Sequence, residues 1–433
     1  MICIPAVLSA GLVIDQSWLP ALVILDAGIL LAALIDAWLG AVGVREVTID
    51  QECAGTWSIG RPEAMSFTVM NHGRLPRRIS AAADLPRELR VDHATIDARI
   101  PGRSRATLTF RVTAQERGSF ALAGLHIAIT SHLGLWRSRR RLGPERTIHV
   151  YPNLKQLGEY TLLARTNRLN LIGVRTSRRG GGDTEFERLR DWHSDDSLQH
   201  VDWKATARRD VLTVRDYQAN QSQGLMLMID AGRMMVSRSR SADGSSASLL
   251  DHAIDSALML AFIALSQGDR VGLVAYADGV LRHVPSHGGQ RQLTTLIHAL
   301  HDLHPRLVES RHEDAFLHLR RRERKRSLVA VFTHVLDEVN AEHIERHCTD
   351  LVGRHLPLVV MLRDHDLHDH LAQPPRDPAA FWRAGAAAHI VNWRAEVLGR
   401  LARAGALAID TDPERLTPAL VNQYLRVKAR HLL

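Results

Sequence analysis

Asp202-Trp203-Lys204 has the Asp-x-Lys spacing with which metal-dependent nucleases hold Mg²⁺ on paired acids and steady an attacking hydroxide with a lysine. Asp183, Glu185 or Asp196 stands upstream as the second acid. A three-residue pattern is common by chance, so this chemistry is a rival reading rather than the leading one. The tract Asp364-His365-Asp366-Leu367-His368-Asp369-His370 also holds transition-metal donor types, with His365 and His368 able to share a helical face. Yet the chain carries 24 histidines, and this tract follows an apolar run where a polar loop is expected. The glycines at 180–182 lack the Lys-Ser/Thr of a phosphate loop, which leaves nucleotide binding without support. Arg320-Arg321-Arg322-Glu323-Arg324-Lys325-Arg326 reads as a solvated helix end complementing the C-terminal dipole. With 5% aromatic residues and no reader motif, nucleic acid is not an expected partner. Cys3, Cys53 and Cys348 form no CxxC pair, so a reducing compartment fits and neither a disulfide framework nor a zinc knuckle does.

The elements that must position these residues follow from hydrophobic period. From Trp18 to Trp38 the chain is apolar over about 30 Å of helix, the thickness of a bilayer core, with tryptophans where interfacial aromatics belong. Ile2 to Ile14 is a shorter apolar run, so residues 1–44 read as a membrane hairpin. Asp26 and Asp36 count against insertion; Asp36 can reach the interface, and Asp26 is protonated or paired within the hairpin. No lysine or arginine precedes Arg45, which disfavours a secretory signal and puts the remainder in the cytoplasm, at the inner membrane. The net charge of +8 suits an anionic counter-surface such as inner-membrane lipid. Residues 45–151 alternate apolar and polar in short runs between turns, predicting an immunoglobulin-like β-sandwich. A basic, irregular segment spans 152–223. From 224 to 433 strands apolar on both faces (225–229, 271–276, 328–332, 356–362) alternate with helical patterns near 249–266, 291–303, 338–355 and 394–404. That alternation predicts a doubly wound, largely parallel α/β sheet, with 257–265 as a buried helix rather than a second span.

The segment GGGDTEF…LRDW…QHVDWKATARRDVLTVRDY carries something more specific. Gly180, Gly182, Glu185, Phe186, Leu189, Arg190, Asp202, Trp203, Lys204, Ala207, Arg208, Leu212 and Arg215 resemble the signature of the bacterial domain of unknown function 58 family. Upstream, RGSF (117–120) and HLGLW (132–136) resemble two further family elements, so the similarity runs along nearly the whole chain. The resemblance implies a von Willebrand factor A-like domain after the signature block. It also implies an adaptor that works with a MoxR-type AAA+ ATPase rather than an enzyme. Read from its residues alone, the block alternates in sign around Phe186 and Trp203, which suits either an interdomain brace of ion pairs or a docking surface.

A von Willebrand A-like domain would hold Mg²⁺ through Asp-x-Ser-x-Ser, a later threonine and a further aspartate, hard oxygen donors for a hard cation. Here Asp230-Ala231-Gly232-Arg233-Met234 keeps the first aspartate and loses both serines. The loop at 286–293, where the threonine is sought, has none at the expected place, and His334 stands after Thr333 where the last aspartate would be. No metal or cofactor is therefore expected, Asp230 being the weak candidate ligand. Partner binding is expected at the strand ends around Asp230, Arg233, Thr333 and His334, because ligands of open α/β sheets gather there. The alternative is a metal-dependent hydrolase or nuclease using Asp202 and Lys204.

Overall fold

The computed structural model describes residues 19–152, 185–192, 201–218, 222–240, 246–363, 377–430 and 432–433. Two compact units divide it, Met1–Tyr151 and Pro152–Leu433. The apolar run 2–14, the glycines at 180–182 and the tract 364–370 lie outside the described residues.

The first unit opens with helix α1 (Leu19–Arg45), which contains a stretch, Val23–Arg45, long and apolar enough to cross a membrane. Eleven strands follow: β1 (Val47–Glu52), β2 (Thr56–Ser58), β3 (Pro62–Asn71), β4 (Arg77–Ala83), β5 (Leu89–Val91), β6 (Ile96–Ile100), β7 (Ser104–Ala114), β8 (Gly118–Leu122), β9 (Leu125–Thr130), β10 (Arg137–Leu142) and β11 (Arg146–Tyr151). They form sheets ordered β1-β3-β7-β5, β10-β9-β4-β6 and β2-β11-β8. Their alternating residues, among them Phe67, Val69, Ile79, Phe110, Ile127 and Ile148, meet in one core. The period-two pattern has a direct cause: one face of each pleated strand is buried and the other is wet.

The helix runs past the expected end at Trp38 because its last turns dock on the sheets. Asp36 lies among these docked turns. It is 1% exposed, and its carboxylate accepts from the Ser131 hydroxyl at 2.5 Å and the Leu133 amide at 3.0 Å. The buried Arg77 guanidinium donates to the Leu39 carbonyl and to Glu46, tying down the helix end.

The second unit begins with β12 (Glu185–Asp191), α2 (Trp203–Arg209) and β13 (Thr213–Gln218), the two strands pairing antiparallel. After β14 (Gly224–Asp230) come a short hairpin, β15 (Arg238–Arg240) with β16 (Ser246–Ser248), then α3 (Leu249–Ser266), β17 (Arg270–Tyr276) and β18 (Val280–His287). The chain continues through α4 (Gln290–Leu300), α5 (His312–Arg322), β19 (Ser327–Thr333), α6 (Glu338–Leu351), β20 (Leu356–Leu362), α7 (Pro378–Arg403), β21 (Leu407–Thr411) and α8 (Pro413–Ala429). Six strands make one sheet in the order β18-β17-β14-β19-β20-β21, parallel except for the β18 edge.

Side-chain alternation explains why its strands read as continuous apolar runs. Leu225, Leu227 and Ile229 point into a core with α3, α4 and α8, whereas Met226 and Met228 point into a second core with α5, α6 and α7. Helices thus cover both faces, and 257–265 lies within α3, almost wholly buried. The hydrophobic period missed β18, α5, β21 and α8 of this layered part, and the segment expected to be irregular, 152–223, holds β12, α2 and β13.

At the amino edge of the sheet a single buried carboxylate joins three segments. Asp269, 1% exposed, accepts from the Gln223 amide at 3.1 Å, from Lys428 Nζ at 3.0 Å and from the Tyr424 hydroxyl. Burial and that carboxylate push the Tyr424 phenol well above its ordinary range, so it remains a donor at any physiological pH. Removing one partner of a buried charged pair strands the other, at a cost of about 3–5 kcal/mol. Asp269→Ala should therefore lower stability by about that amount and Tyr424→Phe by about 1–2 kcal/mol, read from urea unfolding of the full chain in mild detergent. An Asp269→Ala loss below about 1 kcal/mol would contradict the role given to this contact.

Candidate functional site

The parallel strands end together at a carboxyl rim, and one carboxylate sits at its centre. Asp230 closes β14 and is 2% exposed. One oxygen accepts from the Thr333 hydroxyl at the end of β19, at 2.8 Å. The other accepts from the Ser310 hydroxyl at 2.5 Å and the Gly232 amide at 2.8 Å. Ser310 is the residue sequence reasoning missed, since nothing local links a serine to an aspartate 80 positions earlier.

The reason it fits is Gly232. A Cβ on that residue would lie 1.9 Å from the Ser310 hydroxyl oxygen. Losing the side chain at 232 thus admits a hydroxyl from elsewhere. The loop at 286–293, where a hydroxyl ligand was sought, is at the wrong end of the sheet: His287 of antiparallel β18 pairs with Val271 at the start of β17, while Asp230 pairs with Tyr276 at its finish.

Residues 303–311 form a strap across the rim. The Arg306 amide donates to the Ala231 carbonyl at 2.7 Å, the Arg233 amide to Val308 at 2.9 Å and the Arg311 amide to Ala277 at 2.7 Å. Arg233 and Glu309 close an ion pair at 2.5 Å, and Arg306 approaches Asp278 at 3.3 Å. Beneath the strap the Tyr276 hydroxyl, its pKa raised well above the ordinary range by burial, is hydrogen-bonded with His312 Nδ1 at 3.2 Å.

His334 lies beside this centre, 2% exposed, with Nδ1 donating to the Leu362 carbonyl at 2.8 Å. Burial first, then the Arg394 guanidinium, lower its pKa to about 4 and keep the ring neutral. Arg394, 3% exposed, donates to Leu362 at 3.0 Å and to Asp410 at 2.9 Å, an inward-facing pair the sequence did not announce. Arg394 sits at the rim, and the part of α7 that precedes it, back to Pro378, is about 24 Å of helix. Phe381 and Trp382 stand near its tip, 62% and 75% exposed.

The four residues expected to meet a partner therefore divide. Arg233 is accessible, but Asp230, Thr333 and His334 are buried and hold the rim together from within. Nor do they suit Mg²⁺. Both Asp230 oxygens are engaged by protein donors, the neighbouring imidazole contributes no charge, and Asp337 is spent capping α6 through the Asn340 amide. A hard divalent cation needs several anionic or neutral oxygens converging on one point. Among the described residues no group of three or more His, Cys, Asp or Glu side chains converges.

The described part of the signature block centres on a helix start. Asp202 is the N-cap of α2, its carboxylate accepting from the Lys204 amide at 3.0 Å and the Ala205 amide at 3.1 Å, which is why the acid precedes the lysine by two. Trp203 is 66% exposed, and Lys204 and Arg208 face solvent without an ion pair among the described side chains. Arg209 reaches Asp191 at 3.7 Å. Among the described side chains the Arg209–Asp191 pair is the ion pair this block shows, and Asp202 caps the helix. For Glu185, Phe186 and Arg190 only the backbone, in β12, is described.

A family model described as "Protein of unknown function DUF58" matches residues 188–370, from within β12 to beyond β20. This is narrower than the near-complete coverage expected; Gly180, Gly182, Glu185, Phe186 and the RGSF and HLGLW elements lie outside it. No curated protein matches the chain. Among solved structures, native alpha-2-macroglobulin of Escherichia coli, from its MG7 domain to the C-terminus, is 16% identical over 24% of this chain and 16% of its own, with a TM-score of 0.20. The conserved hypothetical protein BatB of Bacteroides thetaiotaomicron is 11% identical over 48% of this chain and 99% of its own, at 0.32. The CARDB domain of the Pyrococcus furiosus PF1109 protein is 9% identical over 24% of this chain and 91% of its own, at 0.18. Likenesses this slight define neither fold nor function.

The buried histidine yields a signed pH dependence. Folded, His334 titrates at about 4; unfolded, at its ordinary 6.5. Between those values the unfolded chain binds the extra proton, so stability rises with pH and is lost as pH falls from 6.5 toward 4. The contribution reaches about 3 kcal/mol and is fully present above pH 6.5. His334→Gln should flatten this slope in urea midpoints taken across the window; an unchanged slope would place the titration elsewhere.

Proposed function

We propose that this chain is a membrane-anchored adaptor that binds other proteins at its carboxyl rim, with a MoxR-type AAA+ ATPase as the partner the family resemblance suggests. The observation carrying this reading is the rim itself. Its polar centre is saturated from within, while an ion pair, the strap's Leu307 at 82% exposure and the exposed Phe381 and Trp382 face outward. Exposed aromatics on a rigid helix beside charge are how protein surfaces recognise proteins.

The strand order, with its single antiparallel edge, and helices on both faces support a doubly wound, von Willebrand A-like sheet in which the cation site has become a hydrogen-bonded joint. In this reading residues 45–151 are an immunoglobulin-like sandwich, 152–223 a signature linker and 224–433 the A-like domain. α1 is the anchor, with positive-inside asymmetry favouring a cytoplasmic body at the inner membrane. A hydrolase centred on Asp202 and Lys204 draws no support from a carboxylate engaged as a helix cap.

Capture of the detergent-solubilised chain with ATP present should retain an AAA+ ATPase. The Phe381→Ala, Trp382→Ala variant should weaken that retention by about thirtyfold, the equivalent of one hot-spot aromatic. Recovery of no ATPase, or undiminished capture by the variant, would contradict the proposal.

A further inference from the structure

Where α1 meets the first unit's sheets, four large apolar side chains stay uncovered. Trp38 on the helix is 67% exposed, and Leu133, Leu135 and Trp136, in the turn between β9 and β10, are 59%, 40% and 48% exposed. Such residues normally mark an interaction site when they cluster. This turn is also rigid. Ser131 donates its amide to the Trp136 carbonyl at 2.9 Å and accepts the Trp136 amide on its hydroxyl at 3.0 Å, and Gly134 takes a left-handed φ of 75°.

The turn is fastened to the helix at one level. Asp36 holds the Leu133 amide and the Ser131 hydroxyl, and the Trp136 indole donates to the Ala33 carbonyl at 2.9 Å. On the far side of that level α1 carries exposed Val23, Ile24, Leu30 and Leu31. If those residues are in a bilayer, the turn cannot be far from it: Ala33 and Trp38 are separated by about 7.5 Å of helix rise. Two tryptophans, one on each element, then lie near the depth preferred by interfacial aromatic belts.

Charge points the same way. Strand β10 leaves the turn as Arg137-Ser138-Arg139-Arg140-Arg141. Arg141 is engaged with Asp84 and Glu145, but Arg137, Arg139 and Arg140 are exposed and have no acidic partner among the described residues. At about 3.3 Å per residue these three reach about 13 Å past Trp136, enough to traverse a headgroup layer.

We propose that the β9–β10 turn is an interfacial foot: Leu133, Leu135 and Trp136 enter the boundary between acyl chains and headgroups beside Trp38, and Arg137, Arg139 and Arg140 bind the phosphates of anionic lipids. This rests on the membrane-anchored reading of α1 and adds a second, lipid-specific contact to it. The foot includes most of the HLGLW element, giving that motif a physical role.

The test is nitroxide accessibility on the full chain in nanodiscs, with Cys3→Ser and Cys53→Ser removing reactive thiols. Cys348 can stay, because burial pushes its thiol up to about 12. Labels go on Leu135→Cys, on Ile24→Cys as the bilayer reference and on Leu307→Cys as the aqueous reference. Position 135 should be several-fold less open to a nickel chelate than 307 while gaining oxygen access. Phosphatidylglycerol should deepen it relative to phosphatidylcholine alone, and the Arg137→Gln, Arg139→Gln, Arg140→Gln variant should abolish that deepening. A label at 135 as open to nickel as 307, with 24 still in lipid, overturns the foot and leaves the anchor. Water access at 24 overturns the anchor itself. Shielding of 135 from both nickel and oxygen would mean that a second protein copy covers the turn, and indifference to phosphatidylglycerol would remove the arginines from lipid binding; either result overturns the proposal.

Discussion

A carboxylate closed off from water must be met by donors or lose its charge, and the rim of the second unit is organised around that requirement. Asp230 receives two hydroxyls and an amide from three separate stretches of chain: Ser310 in the strap, Thr333 at the end of β19 and the Gly232 amide just after β14. Each donor fixes the segment that brings it. The strap, in turn, sets where Arg233, Glu309 and Leu307 meet solvent. The charge of Asp230 is balanced by these dipoles, and the three segments are joined through it.

The same physics operates at the other end of the chain. Asp36 is an expensive residue for an apolar helix until its partners are seen. By taking the Ser131 hydroxyl and the Leu133 amide it converts a liability into the bond that fastens helix to sheet, and Arg77 reinforces the last turn. Asp269 does comparable work under α8. In all three places a buried acid unites segments far apart in sequence.

That long reach explains what the sequence did and did not disclose. The four central strands were legible because a pleated strand buried on both faces leaves an uninterrupted apolar run, as Leu225 to Ile229 does. Helix α3 was legible from its helical pattern and apolar run, 257–265. Strand β18 was not, since its edge position leaves Arg282 and His283 in the pattern, and α5 hid because only His312, Ala315, Phe316 and Leu319 face inward. The site was half legible. Asp230 and the loss of both serines could be read directly, but Ser310 depends on space left by Gly232, which no local pattern encodes. Strand ends attract ligands in general, yet here Thr333 is buried against Asp230 and His334 against Leu362 and Arg394. The Asp202-x-Lys204 triplet was ambiguous for a different reason, because an N-cap aspartate and a metal-binding aspartate look alike in one dimension.

The central claim is that Asp230 is a structural joint and the rim recognises proteins without a cation. Calorimetric titration of Mg²⁺ and Mn²⁺ into the full chain and its Asp230→Ala variant tests this most directly. The joint predicts no micromolar binding in either protein, together with a lowered unfolding midpoint in the variant. Micromolar binding to the parent that Asp230→Ala abolishes would contradict it.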